Sequence, residues 1–400
     1  MKKIIKIIIH NICKTKIILK SQKLINSIDL IIKLQLLIFF SYIIINNIKK
    51  IQILLKGKKF IENCSNGLLM NNNKNNNYKI MKPILSAIIP VYNCEKTIKA
   101  SIRSIQNQNI SEIEIILVND FSKDNSLKII KQLKKEDQRI ILINNNKNMG
   151  TLYSRCIGVL ISKGDYIFSL DDDDMFFDED VFHYIYTNAK MGDFEIISFK
   201  SLCIKNFNYG ITKMKECPFS NHPNGMILRQ PDLGTYPIKK VPIYNDIHIW
   251  AKCIKSQVYK KGVISLGKKR YSTFMSWAED TSMIFILFNI AKSFKFISKY
   301  GVIHLLSNLT ASSTQSRKNK IFGELFLLDI IYDYSKNNSD KNLAIYYALY
   351  IQKKRKFKKI KYNKNFKYLH YILKKILNCK YISMIDKEKL KKKFNFFNLK

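Results

Sequence analysis

Four adjacent carboxylates, Asp171, Asp172, Asp173 and Asp174, follow directly on the apolar run 165-DYIFSL-170. Like charges crowded at a strand end repel one another, and a divalent cation relieves that cost. An all-oxygen, half-open donor set suits Mg²⁺ or Mn²⁺, which complete their shells with phosphate oxygens. A solvated acidic loop would carry the same residues without an ion; placement at the mouth of a parallel sheet favours the metal. A second carboxylate pair, Glu279-Asp280, opens the apolar stretch 277-WAEDTSMIFILF-288. There the helix dipole favours both charges and holds them at a helix start. A further acid, Asp120, ends the β-branched run 113-IEIILVND-120.

The elements that must position these groups begin at Pro83. Short apolar strands (85-LSAIIPVY-92, 113-IEIILVND-120, 139-RIILIN-144, 165-DYIFSL-170, 194-FEIISF-199) alternate with helical stretches at 95–108, 126–133, 151–162 and about 179–190. Ile98, Ile102 and Ile105 recur at helical spacing, Asp124 reads as an N-cap, and Gly150 and Gly164 punctuate the turns. This alternation predicts a mostly parallel sheet with helices on both faces. Ligands bind such sheets at the carboxyl ends of the strands, where Tyr92, Asp120 and Asp171–Asp174 fall.

Several chemistries are excluded by absence. No G-x-G, no G-x-x-x-x-G-K-[ST] and no H-E-x-x-H occurs, so the dinucleotide fingerprint, the P-loop and the zincin motif are missing. The eight cysteines show no C-x-x-C spacing, which argues against structural zinc; they read as free thiols, with a disulfide open but no pair indicated. Lys+Arg 69 against Asp+Glu 30 gives a net charge of +39. Lys, Ile and Asn dominate even in spacers, so compositional bias accounts for the excess more readily than an anionic partner does. Hydrophobic residues at 46% exclude a wholly disordered chain.

Taken together, 85-LSAIIPVYNCEKTIKASIRSIQNQ-108, 115-IILVNDFSKDNS-126, 148-NMGTLYSRCIG-158 and 164-GDYIFSLDDDDMF-176 resemble a family 2 glycosyltransferase, clearly over about residues 84–200. The resemblance implies a nucleotide-sugar-dependent GT-A fold: α/β, Rossmann-like, with helical N- and C-terminal additions. It implies roles residue by residue. Pro90 and Tyr92 would pack on the nucleoside, with Glu95 close behind, and Asp120 would read the base, an acceptor being what a uracil N3–H requires. Arg155 would lie near base and diphosphate. Asp171 and Asp173 form the D-x-D, with Asp173 as direct metal ligand and Asp172 near the ribose or donor sugar. The segment 249-IWAKCIKSQVYKKGV-263 resembles the stretch before the family's acceptor region, and 277-WAED-280 its E-D pair, which makes Asp280 the general base of an inverting transfer. His304 resembles a family histidine that touches metal or phosphates. Asn119 and Phe121-Ser122 depart from the usual second acid and Gly-Ser turn, which weakens the assignment of uracil. The implied cofactor is Mn²⁺ or Mg²⁺; the implied partners are a nucleotide sugar, most simply a UDP-sugar, and a glycan, lipid or protein acceptor.

The flanks read differently. Residues 1–80 combine lysines with the run 34-LQLLIFFSYIII-45, shorter than the roughly 20 residues of a spanning helix, and end in the Asn-rich linker 71–77. A short signal anchor and an interfacial or packed helix both fit. This favours a membrane-associated location, endoplasmic reticulum or Golgi, over a cytoplasmic one. The expected organisation is an N-terminal segment (1–80), a GT-A domain (81–315) and a basic helical extension (316–400). Competing readings are a nucleic-acid or anionic-surface binder acting through 353-KKRKFKKIK-361 and 391-KKK-393, and a degenerate transferase that binds donor without turnover. No specific nucleic-acid partner is expected.

Overall fold

The structure is a computed structural model. It describes residues 82–205, 213–217, 222–230, 248–275 and 277–306, together with scattered helical positions within 41–59 and 322–334. Most of the 34–45 run, the 71–77 linker and the basic stretches 353–361 and 391–393 lie outside the described residues. The chain forms two compact units, Met1–Lys59 and Phe60–Lys400. Among the described residues no helix is long and apolar enough to cross a membrane.

Among the described residues the second unit is built on a ten-stranded sheet. In chain order come β1 (Leu85–Val91), α1 (Ile98–Gln106), β2 (Ile113–Asn119), α2 (Ser126–Glu136), β3 (Ile140–Asn144), α3 (Thr151–Ile161), β4 (Tyr166–Ser169), β5 (Met175–Phe176) and α4 (Val181–Met191). They are followed by β6 (Ile196–Lys205), β7 (Lys213–Glu216), β8 (Ile227–Arg229), a 3₁₀ turn at Ile249–Ala251 and β9 (Lys252–Lys255). The last described elements of the sheet domain are α5 (Ser256–Leu266), α6 (Lys268–Tyr271), α7 (Glu279–Ile290) and β10 (Ser293–Leu306). The strand order is β3-β2-β1-β4-β9-β6-β10-β5, with β7 on β6 and β8 on β10.

Every residue of β1 and β2 is buried, as continuous apolar runs must be when a sheet is covered on both faces. The period of two divides their side chains between the two layers. Ile88, Ile116, Val118 and Ile167 pack with Leu152, Cys156 and Val159 of α3, Tyr259 and Val263 of α5 and Leu287 of α7. Phe168, next along β4, stacks instead on Phe182 of α4 at 4.3 Å between centroids, with Phe176 edge-on to both.

The predicted α/β class holds, while the sheet is more mixed than simple alternation suggests. β3, β2, β1 and β4 run parallel, as do β6 and β10. β9 is inserted antiparallel between β4 and β6. The N-cap expected at Asp124 shifts by one residue: α2 starts at Ser126 behind Asn125, and Asp124 instead accepts the Ser126 N–H (3.0 Å) and Glu95 N–H (3.0 Å). Cys203 and Cys217, unpaired in the sequence reading, form a disulfide joining β6 to the residue after β7.

Candidate active site

The loops that leave β1 and β2 are sewn together at the carboxyl edge of the sheet. Val91 pairs with Asn119 in register, so the chains emerge side by side. Asn93 N–H donates to Ser122 Oγ (3.1 Å), Lys123 N–H to Asn93 Oδ1 (2.8 Å) and Cys94 N–H to Ser126 Oγ (2.9 Å). Glu95 belongs to this seam: its carboxylate accepts both the N–H and the side-chain amide of Asn125 at 2.9 Å. Glu95 is therefore committed to holding α2. Pro90 lies buried within β1 opposite Val118, part of the sheet interior. Tyr92, 46% exposed, is the first side chain beyond the strand.

Asp120 is 3% exposed and already served by the protein. One oxygen accepts the Asn145 side-chain amide (2.7 Å) and the Met149 N–H (2.8 Å); the other accepts the Gly150 N–H (2.7 Å). Gly150 takes φ 90° there, and a Cβ would press on the Met275 carbonyl, so the turn into α3 requires glycine. Asp120 thus fixes the entry to α3, the helix that carries Arg155.

Arg155 joins the two acidic motifs. It is 3% exposed; Nη2 donates to Asp171 at 2.8 Å and Nη1 to Asp280 at 2.7 Å. Burial would lower its pKa, but Asp280 and Asp171 outweigh that and raise it. Asp280 is further held by the Ile249 N–H, 3.2 Å from its other oxygen. Its neighbour Glu279 is hydrogen-bonded by its own backbone N–H, and burial together with Asp280 pushes it up to about 7. Both acids open α7 behind Ala278 at φ 64°, a left-handed backbone that costs a non-glycine residue about 1–2 kcal/mol.

The four aspartates diverge. Asp171 faces Arg155; burial raises its pKa and the guanidinium opposes the rise. Asp172 accepts the Tyr92 N–H (2.9 Å), tying β4 to β1, and burial lifts it to about 6. Asp174 is fully buried and turns inward to His304 Nδ1 (2.8 Å) and the Leu305 N–H (3.1 Å). Asp173 has no hydrogen-bond or ion-pair partner among the described residues, and burial plus the carboxylates of Asp174, Asp172 and Asp171 pushes it up to about 9. His304 stacks on Trp250 at 4.8 Å. Burial would depress its pKa, but Asp174 and its neighbours raise it to about 9.

The structure therefore brings Asp171, Arg155 and Asp280 together and adds Asp174 to His304, while Pro90 and Glu95 serve the scaffold. Asn145 and Asp174 escaped the sequence reading of the site. Asn145 lies in 144-NNN-146, indistinguishable by type from its neighbours in an Asn-rich chain; Asp174 carried the signal, as part of the run, without a distinct role. Among the described residues no three His, Cys, Asp or Glu side chains are gathered as a ready-made metal cage. The donor set nonetheless fits an ion of the Mg²⁺ or Mn²⁺ kind. Such ions need only one or two carboxylates when phosphates supply the rest, and Asp173 offers an unengaged one.

Comparison with known proteins places this arrangement in a class. Residues 86–235 match the family described as glycosyl transferase family 2. An uncharacterized glycosyltransferase of Haemophilus influenzae is 30% identical over 194 residues, covering 46% of this chain and 56% of the relative. The UDP-Glc:alpha-D-GlcNAc-diphosphoundecaprenol beta-1,3-glucosyltransferase WfaP of Escherichia coli is 43% identical over 91 residues, 23% of this chain and 36% of the relative. The chain thus spans little more than half the length of the first and about a third of the second. Among solved structures, S. aureus TarS 1-349 in complex with UDP-GlcNAc aligns with a TM-score of 0.54 at 16% identity, over 74% of this chain and 82% of that one. The fold is of the GT-A type that the sequence led us to expect.

Proposed function

We propose that the chain transfers a sugar from a nucleotide-sugar donor, a UDP-sugar, to an acceptor hydroxyl with inversion at the anomeric carbon. The observation that carries this reading is the Arg155 bridge: one buried guanidinium sets Asp171 of the D-x-D and Asp280 of the E-D pair a single side chain apart. Support for the donor comes from the family match and from TarS, whose structures were solved with UDP and UDP-GlcNAc. WfaP, acting on a diphosphoundecaprenol-linked sugar, makes a lipid-linked acceptor the first to try.

In this reading Tyr92 covers the base and Asp120 shapes the floor beneath it. Asp173, with Asp171, would hold a divalent ion, and that ion when bound neutralises the departing diphosphate. Arg155 keeps Asp171 turned toward the diphosphate. Asp280 takes the acceptor proton as the oxygen attacks from the face opposite the leaving group. A specific observation favours a second assignment of the base: Glu279, next to Asp280, makes no ion pair among the described residues and sits near the neutral pKa that suits proton transfer.

UDP release from a panel of UDP-sugars with lipid-diphosphate-sugar acceptors tests the proposal. Release that depends on acceptor supports transfer. Loss of turnover in Asp280→Asn with Glu279→Gln active assigns the base to Asp280; the reverse pattern assigns it to Glu279. No release with any donor, by protein that binds UDP, would sink turnover and leave the degenerate reading.

A further inference from the structure

The described residues of the first unit carry an exposed apolar stripe. Ile44, Ile48, Ile51 and Leu55 are helical and 57%, 49%, 55% and 60% exposed; Ile45 beside them is 50% exposed. At about 100° per residue the first four fall within a stripe roughly 60° wide. Large aliphatic side chains aligned this way on a helix belong against something apolar. The same stretch, residues 41–59, contains five lysines (Lys49, Lys50, Lys56, Lys58, Lys59) and no acidic residue.

We infer that this face is an interfacial helix lying in the headgroup region of an anionic membrane, its Ile/Leu stripe toward the acyl chains and its lysines on lipid phosphates. Charge decides between this occupant and a second copy. The spacing also fits two heptads of a coiled coil, but pairing identical helices would bring two acid-free lysine sets together. Two heptads also fall short of the three or four that sustain such a pairing. An anionic lipid surface meets both needs at once: it takes up the apolar stripe and attracts each lysine. The inference is independent of the transferase reading, since it rests on residues outside the sheet domain.

The test is co-sedimentation of the full chain with phosphatidylcholine vesicles, with and without phosphatidylglycerol, at two salt concentrations. Wild type is expected to pellet with the anionic vesicles alone and to be released by salt. Ile48→Glu/Ile51→Glu should weaken binding roughly tenfold or more. Circular dichroism and UDP titration of that variant report on its fold separately from its lipid binding. A second variant, with Lys353, Lys354, Lys358 and Lys359 changed to Gln, keeps the stripe and is expected to stay bound. Binding lost in this second variant but kept in the first would overturn the inference in favour of the C-terminal lysines. A wild-type dimer in solution that Ile48→Glu/Ile51→Glu splits, with no vesicle binding, would overturn it in favour of a second copy.

Discussion

Acids stand at both ends of the sheet, Glu114 at the amino ends of its strands and four aspartates at the carboxyl end of β4, and the protein treats them in opposite ways. At the amino ends of β1 and β2, Glu114 is 6% exposed and its Oε1 accepts Ser86 Oγ (2.6 Å), the Gly164 N–H (3.1 Å) and the Lys163 N–H. At the carboxyl ends, four aspartates crowd together and Asp173 receives no donor from the described residues, though burial and its neighbours make its charge costly. The cost of burying Glu114 is offset within the fold by fixed donors. The cost at Asp173 is left standing, and the proposed cation and diphosphate would offset it. Asp120 shows that placement at the carboxyl edge does not by itself leave an acid open, because three donors occupy it.

Mutations at the two ends should separate these roles. The largest effect is expected from Asp173→Ala: transfer falls at least about a hundredfold, while the denaturant midpoint stays level or rises because a repelled, half-buried acid is gone. A fall in the midpoint comparable to that of a core mutant would show that Asp173 has a structural partner. Asp280→Asn should lower turnover by about 10²–10⁴ with UDP affinity nearly unchanged; equal losses in both would mean that it acts by positioning Arg155. Glu114→Ala should do the reverse of Asp173→Ala. The Ser86 hydroxyl and the Lys163 N–H lose their acceptor, while the Gly164 N–H keeps Ser86 Oγ (3.0 Å); the loss costs about 2 kcal/mol of stability in urea unfolding, with kcat per folded molecule preserved.

The smallest effect concerns pH. His304 is raised to about 9 in the folded chain, against about 6.5 when unfolded, so between these values the folded state binds more protons. Its contribution to stability is whole below about pH 6.5 and lost as pH climbs through about 9. Asp174→Asn should flatten that stretch of the thermal-midpoint profile. An unchanged slope would show that the Asp174–His304 contact does not set the histidine's protonation.

Much of this contrast is legible in the sequence because strands buried on both faces announce themselves as apolar runs. The residue that follows each run, Tyr92, Asp120 or Asp171, must then lie at the carboxyl edge. The E-D pair before an apolar stretch reads as a helix start for the same reason. What stays hidden depends on contacts distant in sequence. β9 is only four residues, KCIK, too short for a period to show, and its antiparallel insertion follows from the β6 and β4 edges it satisfies. Nothing local marks Asp280 and Asp171 as sharing one arginine, 125 and 16 residues away respectively. Nor does composition show that Glu95 is spent on Asn125, or which two of eight cysteines meet across β6 and β7.

The central claim is that the open carboxylate at the strand ends is where a metal and a nucleoside diphosphate bind together. Calorimetric titration of the full chain with UDP, with and without Mn²⁺, repeated on Asp173→Ala, tests it most directly. The account predicts UDP binding that strengthens with Mn²⁺ in the wild type and a variant in which the Mn²⁺ dependence is lost. UDP binding of equal strength with or without the ion, unaltered by Asp173→Ala, would contradict it.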